Sequence, residues 1–150
     1  MFKNEIRSET VIDGTPADVW AVLTDFSRYG GWNPGFDKAE GRAVVGETLH
    51  LTFAKEGGRG MRMHPRVLVA EPGRELRWLG HLLMPGIFDG EHRFQIEEME
   101  PGRVRFIQSE VFRGLFVPFL RKMIEVDTLA TFHNVNAALA ARVGARGAAA

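Results

Sequence analysis

The sequence predicts an α+β fold in which an antiparallel sheet, covered on one face, packs against a long C-terminal helix. Between Phe36 and Phe112, apolar and polar residues alternate in successive short segments, as they do in antiparallel strands that bury one face. Residues 119 to about 141 contain neither Gly nor Pro and are rich in Leu, Ala, Met, Arg and Glu, which favours helix. Strands followed by one long helix are typical of α+β folds.

The N-terminal elements are predicted from β-prone residues and a helix start signal. Residues 5–12 favour a strand that leads into an Asp-Gly turn. Thr15 can cap a helix, Pro16 suits its first position, and Asp18 favours its first turn. We therefore expect a short amphipathic helix, followed at residues 28–35 by a Gly-rich loop or a broken second helix.

The strands of the sheet are predicted from their period of two and from the turns between them. Glu71-Pro72-Gly73 and Glu100-Pro101-Gly102 place Pro and Gly at the central positions of type II turns. Gly57-Gly58 and Asp89-Gly90 mark two further turns. The alternating segments are residues 49–53, 61–69, 76–82, 91–97 and 104–112.

The last helix is predicted to begin after Pro118 and to turn one apolar side toward the sheet. That side carries Leu120, Ile124, Phe132, Val135 and Leu139. The tail from residue 144, with the sequence GARGAAA, is expected to fray. The chain is thus predicted to form a single domain at residues 1–143 with a frayed tail at 144–150.

Composition excludes several classes of function. With 150 residues the chain is the size of one domain, and its 19 basic residues balance its 19 acidic residues, so that no net field attracts nucleic acid. Cysteine is absent, which excludes disulfides, thiol catalysis and thiolate metal sites. The N-terminus lacks the apolar stretch of a signal peptide, and no window is apolar enough for a membrane-spanning helix. We therefore expect a cytoplasmic protein without integral membrane association.

The predicted architecture implies an internal cavity. A single helix is about 10 Å wide and does not fill the concave side of a strongly bent sheet. We therefore expect a vacant space between the sheet and the C-terminal helix unless large side chains fill it.

Several segments resemble one known family. They are Thr15–Trp20, Asp25-Phe26, Trp32-Asn33-Pro34, Glu71–Trp78, Phe88–Phe94, Glu110–Leu115 and Phe132–Leu139. Together they resemble the polyketide cyclase/dehydrase-like (SRPBCC) branch of the START and birch-pollen-allergen superfamily, in the expected order from about residue 3 to 142. The resemblance implies a helix-grip fold: a curved seven-stranded antiparallel sheet wrapped around a long C-terminal helix, with two short helices after the first strand. It supplies no catalytic motif.

Three polar residues are expected to face the apolar interior. If Val104, Phe106 and Phe112 point toward the helix, Gln108 and Glu110 do so as well. His92 has the same parity as its neighbour Phe94. Buried polar groups need a partner or a ligand.

Each of these three residues has a structural alternative to contact with a ligand. Glu110 could pair with an arginine, Gln108 could bond the backbone or water, and His92 could be a core histidine with one satisfied nitrogen. His92 and Glu110 are the candidates for acid–base catalysis, without an established role.

The complete predicted ligand-binding set includes residues of the sheet, the loops and the last helix. Trp32 could gate the cavity or fasten its loop to the sheet, and Phe53 and Trp78 are expected wall residues. The other histidines, at 50, 64, 81 and 133, lack metal-ligand spacing, so that we expect neither metal nor cofactor. The predicted set is Trp32, Phe53, Met63, Trp78, His92, Phe94, Phe106, Gln108, Glu110, Ile124, Thr128, Thr131 and Val135.

Two unusually apolar loops, residues 82–88 and 115–120, suggest a portal. They could instead form a homodimer surface or touch a membrane. The favoured function is binding of a small lipid-like or aromatic, polyketide-like molecule in the cavity. The alternatives are an enzyme of cyclase, aromatase or dehydratase type acting on such a molecule, and a protein-interaction adaptor.

Overall fold

The computed structural model describes residues 2–58 and 60–149, in which strands and helices follow the predicted order. The strands are β1 (Lys3–Asp13), β2 (Phe36–Glu40), β3 (His50–Phe53), β4 (Arg62–Met63), β5 (Arg66–Glu71), β6 (Glu75–Leu82), β7 (Phe88–Glu100) and β8 (Arg103–Arg113), and the α-helices are α1 (Pro16–Thr24) and α2 (Leu129–Ala149). The α+β fold with a curved antiparallel sheet and a C-terminal helix is confirmed.

The strands form two hydrogen-bonded sheets rather than one sheet of seven. One sheet has the order β1-β8-β7-β6-β5 and the other the order β2-β3-β4, with a single bridge between Thr48 and Arg66 linking them. The predicted strand at residues 61–69 is interrupted at Pro65, which separates β4 from β5. Proline has no amide hydrogen for a sheet ladder, and the chain changes sheet at this point.

The start of α1 forms as its sequence predicts. The Asp18 amide donates to Thr15 Oγ1 at 3.1 Å, and the Thr15 amide donates to Asp18 Oδ2 at 3.2 Å, which is a reciprocal capping box. These hydrogen bonds hold the pKa of Asp18 below its usual value. The 3-10 helix Phe26–Gly31 follows as the second short helix.

The C-terminal helix differs from its prediction at both ends. It is preceded by the 3-10 helix Val117–Leu120 and the π-helical segment Met123–Thr128. At the other end, α2 continues to Ala149 where a frayed tail was expected from Gly144. An Arg146 guanidinium nitrogen lies 3.4 Å from Asp18 Oδ1 on α1, an exposed ion pair between the last part of α2 and its neighbour. No helix in the described part of the chain combines the length and apolarity needed to cross a bilayer.

The core lies between α2 and the concave face of the five-stranded sheet. Ile124, Phe132, Val135 and Leu139 are buried as predicted, and Leu120 is partly buried. A smaller apolar cluster at one end of the helix consists of Ile6, Phe112, Val117, Ile124 and Phe132.

Candidate functional site

Three of the predicted site residues form one row across the concave face. Trp78 on β6 pairs with His92 on β7, and His92 pairs with Glu110 on β8. All three side chains are buried. His92 and Glu110 face inward as their parity predicts, and the register of β7 and β8 makes them neighbours.

The hydrogen bonds of Gln108 determine the tautomer of His92. Gln108 Nε2 lies 3.5 Å from the Phe132 carbonyl oxygen and donates to Asn136 Oδ1 at 2.9 Å. The amide oxygen Oε1 therefore faces His92 Nε2, at 2.8 Å. Because that oxygen can only accept, Nε2 carries the imidazole proton and Nδ1 keeps a free lone pair.

The network continues across the helix to β1. Asn136 Nδ2 donates to Ser8 Oγ at 2.9 Å, and the side chains of Ser8, Gln108 and Asn136 are all buried. One chain of hydrogen bonds thus joins β7, β8, α2 and β1. A satisfied buried network of this kind holds the imidazole in one orientation.

Glu110 is a buried acid without a hydrogen-bond partner in residues 2–58 and 60–149. Its Oε1 lies 3.6 Å from His92 Nδ1, beyond hydrogen-bond distance. Burial raises the pKa of its carboxyl to about 8. Burial also lowers the pKa of His92 to about 4, against a smaller opposing effect of the Gln108 hydrogen bond. At neutral pH both groups are therefore uncharged, and the contact joins a carboxylic acid to an imidazole lone pair rather than two ions.

Trp78 adds a second unsatisfied polar group to the same row. Its Nε1 is buried and has no acceptor among the described residues, while its ring packs at 5.3 Å from that of His92 and 4.9 Å from that of Phe94. The row therefore contains an unpaired donor, Trp78 Nε1, and an unpaired acid, Glu110. Buried polar atoms are rarely left unpaired, which makes this row a candidate site.

Next to the row lies a pair of glycines that we call the glycine floor, Gly80 and Gly90. They are paired across β6 and β7, so that Asp89-Gly90, predicted as a turn, lies within strand β7. Two other side chains fill the space that the missing Cβ atoms of the two glycines leave. An ideal Cβ on Gly80 would lie 2.7 Å from Met63 Sδ, and one on Gly90 would lie 2.5 Å from Glu110 Oε2. The floor is therefore covered by one flexible thioether and one carboxyl group.

Among the residues that the structure describes, packed side chains occupy the centre of the fold where the sequence predicted an open cavity. Trp78, Phe106 and Ile124 have no solvent-accessible surface, and Phe94 and Val135 are nearly as buried. Phe94 and Phe132 stack on the His92 ring at 4.2 and 4.9 Å. Aromatic side chains from the sheet and the helix fill the space that one helix was expected to leave vacant.

The remaining predicted residues lie around this filled centre. Phe53 packs on Phe36 at 5.2 Å, and Thr128 and Thr131 are half-buried on the helical segment. Trp32 packs against Tyr29 at 5.4 Å, consistent with the alternative that it fastens its loop. It also lines an outer groove of about 510 Å³ together with Arg28, Arg142 and Arg146.

A second outer groove, of about 680 Å³, lies between the start of α1, the turn at residues 72–74 and β7. It is bounded by Trp20, Pro72, Arg74 and Ile96, among others, and contains none of the predicted ligand-binding residues. Both grooves lie outside the space between the sheet and α2.

Sequence reasoning missed the partners of the polar row. Asn136 lies inside the apolar stripe of the last helix, between Val135 and Leu139, and this position is the signal that could have identified it. Ser8 and the glycine floor carry no comparable signal, because only the strand register brings them to the site. Within the described ranges, no group of three His, Asp or Glu side chains is arranged to hold a metal ion.

The two apolar loops are neighbours, as the sequence suggested. The Leu115 amide donates to the Gly86 carbonyl at 3.1 Å, and the Phe116 amide donates to the Ile87 carbonyl at 3.0 Å. Phe88 and Phe112 stack at 5.3 Å where these loops meet the sheet. The loops therefore lie at the end of the strands that carries the glycine floor.

Comparison with solved structures shows the same fold in proteins of low sequence identity. The Zhui aromatase/cyclase from Streptomyces sp. R1128 superposes with a TM-score of 0.79 at 15% identity, covering 97% of this chain and 96% of that one. A norcoclaurine synthase point mutant from Thalictrum flavum, in complex with a transition state analogue, has a TM-score of 0.74 at 15% identity, with 97% of each chain covered. A START superfamily protein from Mycobacterium smegmatis has a TM-score of 0.70 at 17% identity, covering 93% of this chain and 97% of that one.

Sequence comparison identifies the family. No significant match is found among curated proteins. The profile of the family described as "Polyketide cyclase / dehydrase and lipid transport" matches residues 3–144. With this match and the START-like fold, the chain belongs to the polyketide cyclase/dehydrase and lipid transport family.

Proposed function

We propose that this protein binds a small hydrophobic molecule that carries a carbonyl or hydroxyl oxygen, above the glycine floor and beside Glu110. The observation that carries the proposal is the buried Glu110 carboxyl, which has no hydrogen-bond partner among the described residues and whose Oε1 lies 3.6 Å from His92 Nδ1. A protonated carboxyl that lacks an acceptor can donate to an oxygen of a ligand. The family description and the fold support ligand binding in general.

Movement of Met63 supplies the space that such a ligand needs. Met63 is half-buried, and its sulfur covers Gly80. A methionine side chain has three rotatable bonds and repacks easily, whereas the aromatic residues at the centre are held on several sides. The proposed pocket is therefore one that opens when Met63 turns away, with the two glycines as its base.

The role of Glu110 is tested by calorimetric titration with acetylnaphthalene, and with ethylnaphthalene as the matched probe without oxygen. We expect the ketone to bind more tightly, and Glu110→Leu to weaken only the ketone, by about fivefold. Glu110→Gln keeps a donor and should retain most of the affinity. Affinity of the natural protein for the ketone should fall above about pH 8, where Glu110 loses its proton, while the affinity of Glu110→Gln stays constant. Equal binding of both probes by all three proteins, or binding of neither, refutes the proposal.

The position of the pocket is tested by filling its base. In Gly90→Ala the new methyl group displaces the Glu110 carboxyl, and we expect the affinity for acetylnaphthalene to fall about tenfold while the fold persists. Gly58→Ala is the matched control, because nothing lies within 4 Å of its Cβ position. If Gly90→Ala binds the ketone as the natural protein does, the ligand lies elsewhere.

A cyclase-type enzyme is the second candidate, favoured by the relation of Glu110 to His92. An acid with a pKa near 8, placed 3.6 Å from an imidazole lone pair, can protonate a carbonyl oxygen while the imidazole accepts a proton. Incubation with a linear poly-β-ketone should then yield a cyclised product. His92→Phe should abolish product formation while leaving binding of the same compound within about twofold. Unchanged product formation in that variant refutes the assignment of His92.

A further inference from the structure

The two neighbouring loops, residues 82–88 and 115–120, form an exposed surface that is rich in apolar side chains. We call this surface the apolar tip. It consists of Leu83, Met84, Leu115, Phe116 and Phe119, all of them exposed. Leu83 is 83% and Phe119 is 84% exposed, so that these two side chains project from the surface with little support from their own chain. Single exposed apolar residues are common, but a contiguous group of this size indicates an interaction site.

Leu83 has a left-handed backbone conformation, which is unfavourable for a leucine. Its φ is +67°, the only positive value of a non-glycine residue in the described parts of the chain. The left-handed conformation costs about 1 to 2 kcal/mol for a residue with a Cβ. Folding alone gains nothing from this leucine, because its side chain lies in solvent.

Basic residues lie beside the second loop of the apolar tip, whereas the first loop, residues 82–88, carries none. Arg113 lies directly before the second loop and is paired with Lys3 across β8 and β1. Arg121 and Lys122 follow Phe119 and Leu120, and are exposed. Two nearby acids already have partners, and one of those partners is Arg121. Asp89 accepts from the Gly86 amide and contacts His81, and Glu125 contacts Arg121.

An apolar surface with basic residues beside it fits a lipid bilayer better than a second copy of this chain. In a symmetric dimer through this tip, the basic residues of the two copies would face one another and repel. A bilayer with anionic headgroups satisfies both features, since it accepts aromatic and aliphatic side chains and attracts the surrounding Lys and Arg. We propose that the apolar tip docks the protein on the surface of an anionic lipid bilayer.

The docked protein inserts Leu83 and Phe119 into the interfacial region, while Lys3, Arg113 and Lys122 contact headgroups. The loops at the surface are those at the glycine-floor end of the sheet. The inference does not depend on the proposed ligand or on Glu110, and it can fail or succeed separately.

The test is co-sedimentation with vesicles of phosphatidylcholine alone and of phosphatidylcholine mixed with phosphatidylserine. We expect binding to the mixed vesicles, weaker binding to the neutral ones, and loss of binding at high salt. Phe119→Ser should lower the partition coefficient about tenfold, and Lys122→Gln about fivefold. Met99→Ser, which changes an exposed methionine outside the tip, is the control and should leave binding unchanged.

Leu83→Asn separates docking from folding. Asparagine accepts the left-handed conformation more readily than leucine, so that the melting temperature should stay the same or rise while vesicle binding falls. Absence of binding to both vesicle types overturns the proposal, as does equal binding by the natural protein and Phe119→Ser. A dimer of the natural protein in gel filtration that dissociates in Phe119→Ser also overturns it and makes the tip a subunit interface.

Discussion

Replacing Glu110 with Gln is expected to stabilise the protein more strongly as the pH rises. Burial raises the pKa of Glu110 from 4.5 to about 8, so that between these values the folded protein holds a proton that the unfolded chain has released. The free energy of unfolding of the natural protein therefore falls as the pH rises through this window. Glutamine does not titrate, and its advantage should grow by about 3 kcal/mol between about pH 5 and pH 8. Urea unfolding across this range measures the difference.

His92 makes the free energy of unfolding depend on pH in the opposite direction. Burial lowers its pKa from 6.5 to about 4, so that the unfolded chain takes up a proton that the folded protein does not hold. This group reduces stability as the pH falls from about 6.5 to about 4. Between about 4.5 and 6.5 the effects of His92 and Glu110 oppose one another, and above 6.5 that of Glu110 stands alone.

The control for Glu110→Gln is an acid on the surface. Glu98 is exposed on β7, and Glu98→Gln should leave the pH dependence of the natural protein intact. If Glu110→Gln and Glu98→Gln show the same dependence, Glu110 is ionised in the folded protein and cannot act as a donor at neutral pH. If only Glu110→Gln changes the pH dependence, Glu110 destabilises the folded protein at neutral pH while it remains able to donate to a ligand. Functional residues commonly reduce stability in this way.

Local patterns were sufficient to predict most of the fold. Thr15 and Asp18 predicted the start of α1 because a capping box depends on residues only three positions apart. Alternation predicted which side of β7 and β8 faces inward, and hence the burial of His92, Gln108 and Glu110. Pro65 and Asp89-Gly90 were exceptions within the strands. Breaking one ladder at Pro65, and keeping a glycine inside β7 where a turn was predicted, both depend on contacts distant in sequence.

The site was predicted less completely because its chemistry depends on register. Parity indicated that Gln108 and His92 point inward, but whether they bond each other is decided by the relative alignment of β7 and β8. The cavity was expected unless large side chains fill the space, and Phe94, Phe106 and Phe132 fill it. Which side chains meet in the interior depends on the packing of strands and helix that are distant in sequence. The binding site that we propose is therefore the covered glycine floor rather than an open space between sheet and helix.

Gln108→Leu is expected to be the most destabilising of the substitutions considered, by about 3 to 5 kcal/mol. Gln108 is 1% exposed and bonds both His92 and Asn136. Leucine fills a similar volume, so the loss arises mainly from leaving an imidazole N–H and an amide oxygen unpaired in the interior. Urea unfolding at neutral pH measures the loss, and Gln95→Leu, at a half-buried position on β7, is the matched control.

A double-mutant cycle then distinguishes the network from simple packing. If Gln108 and Asn136 act as partners, adding Asn136→Leu to Gln108→Leu should cost much less than Asn136→Leu alone, because one unpaired amide is removed. The imidazole nitrogen chemical shifts should also change in Gln108→Leu, since Nε2 loses the acceptor that fixes the tautomer. Strictly additive losses with unchanged nitrogen shifts would mean that Gln108 does not orient His92. The imidazole lone pair would then have no fixed direction toward Glu110, and the acid–base arrangement on which the cyclase-type candidate rests would be lost.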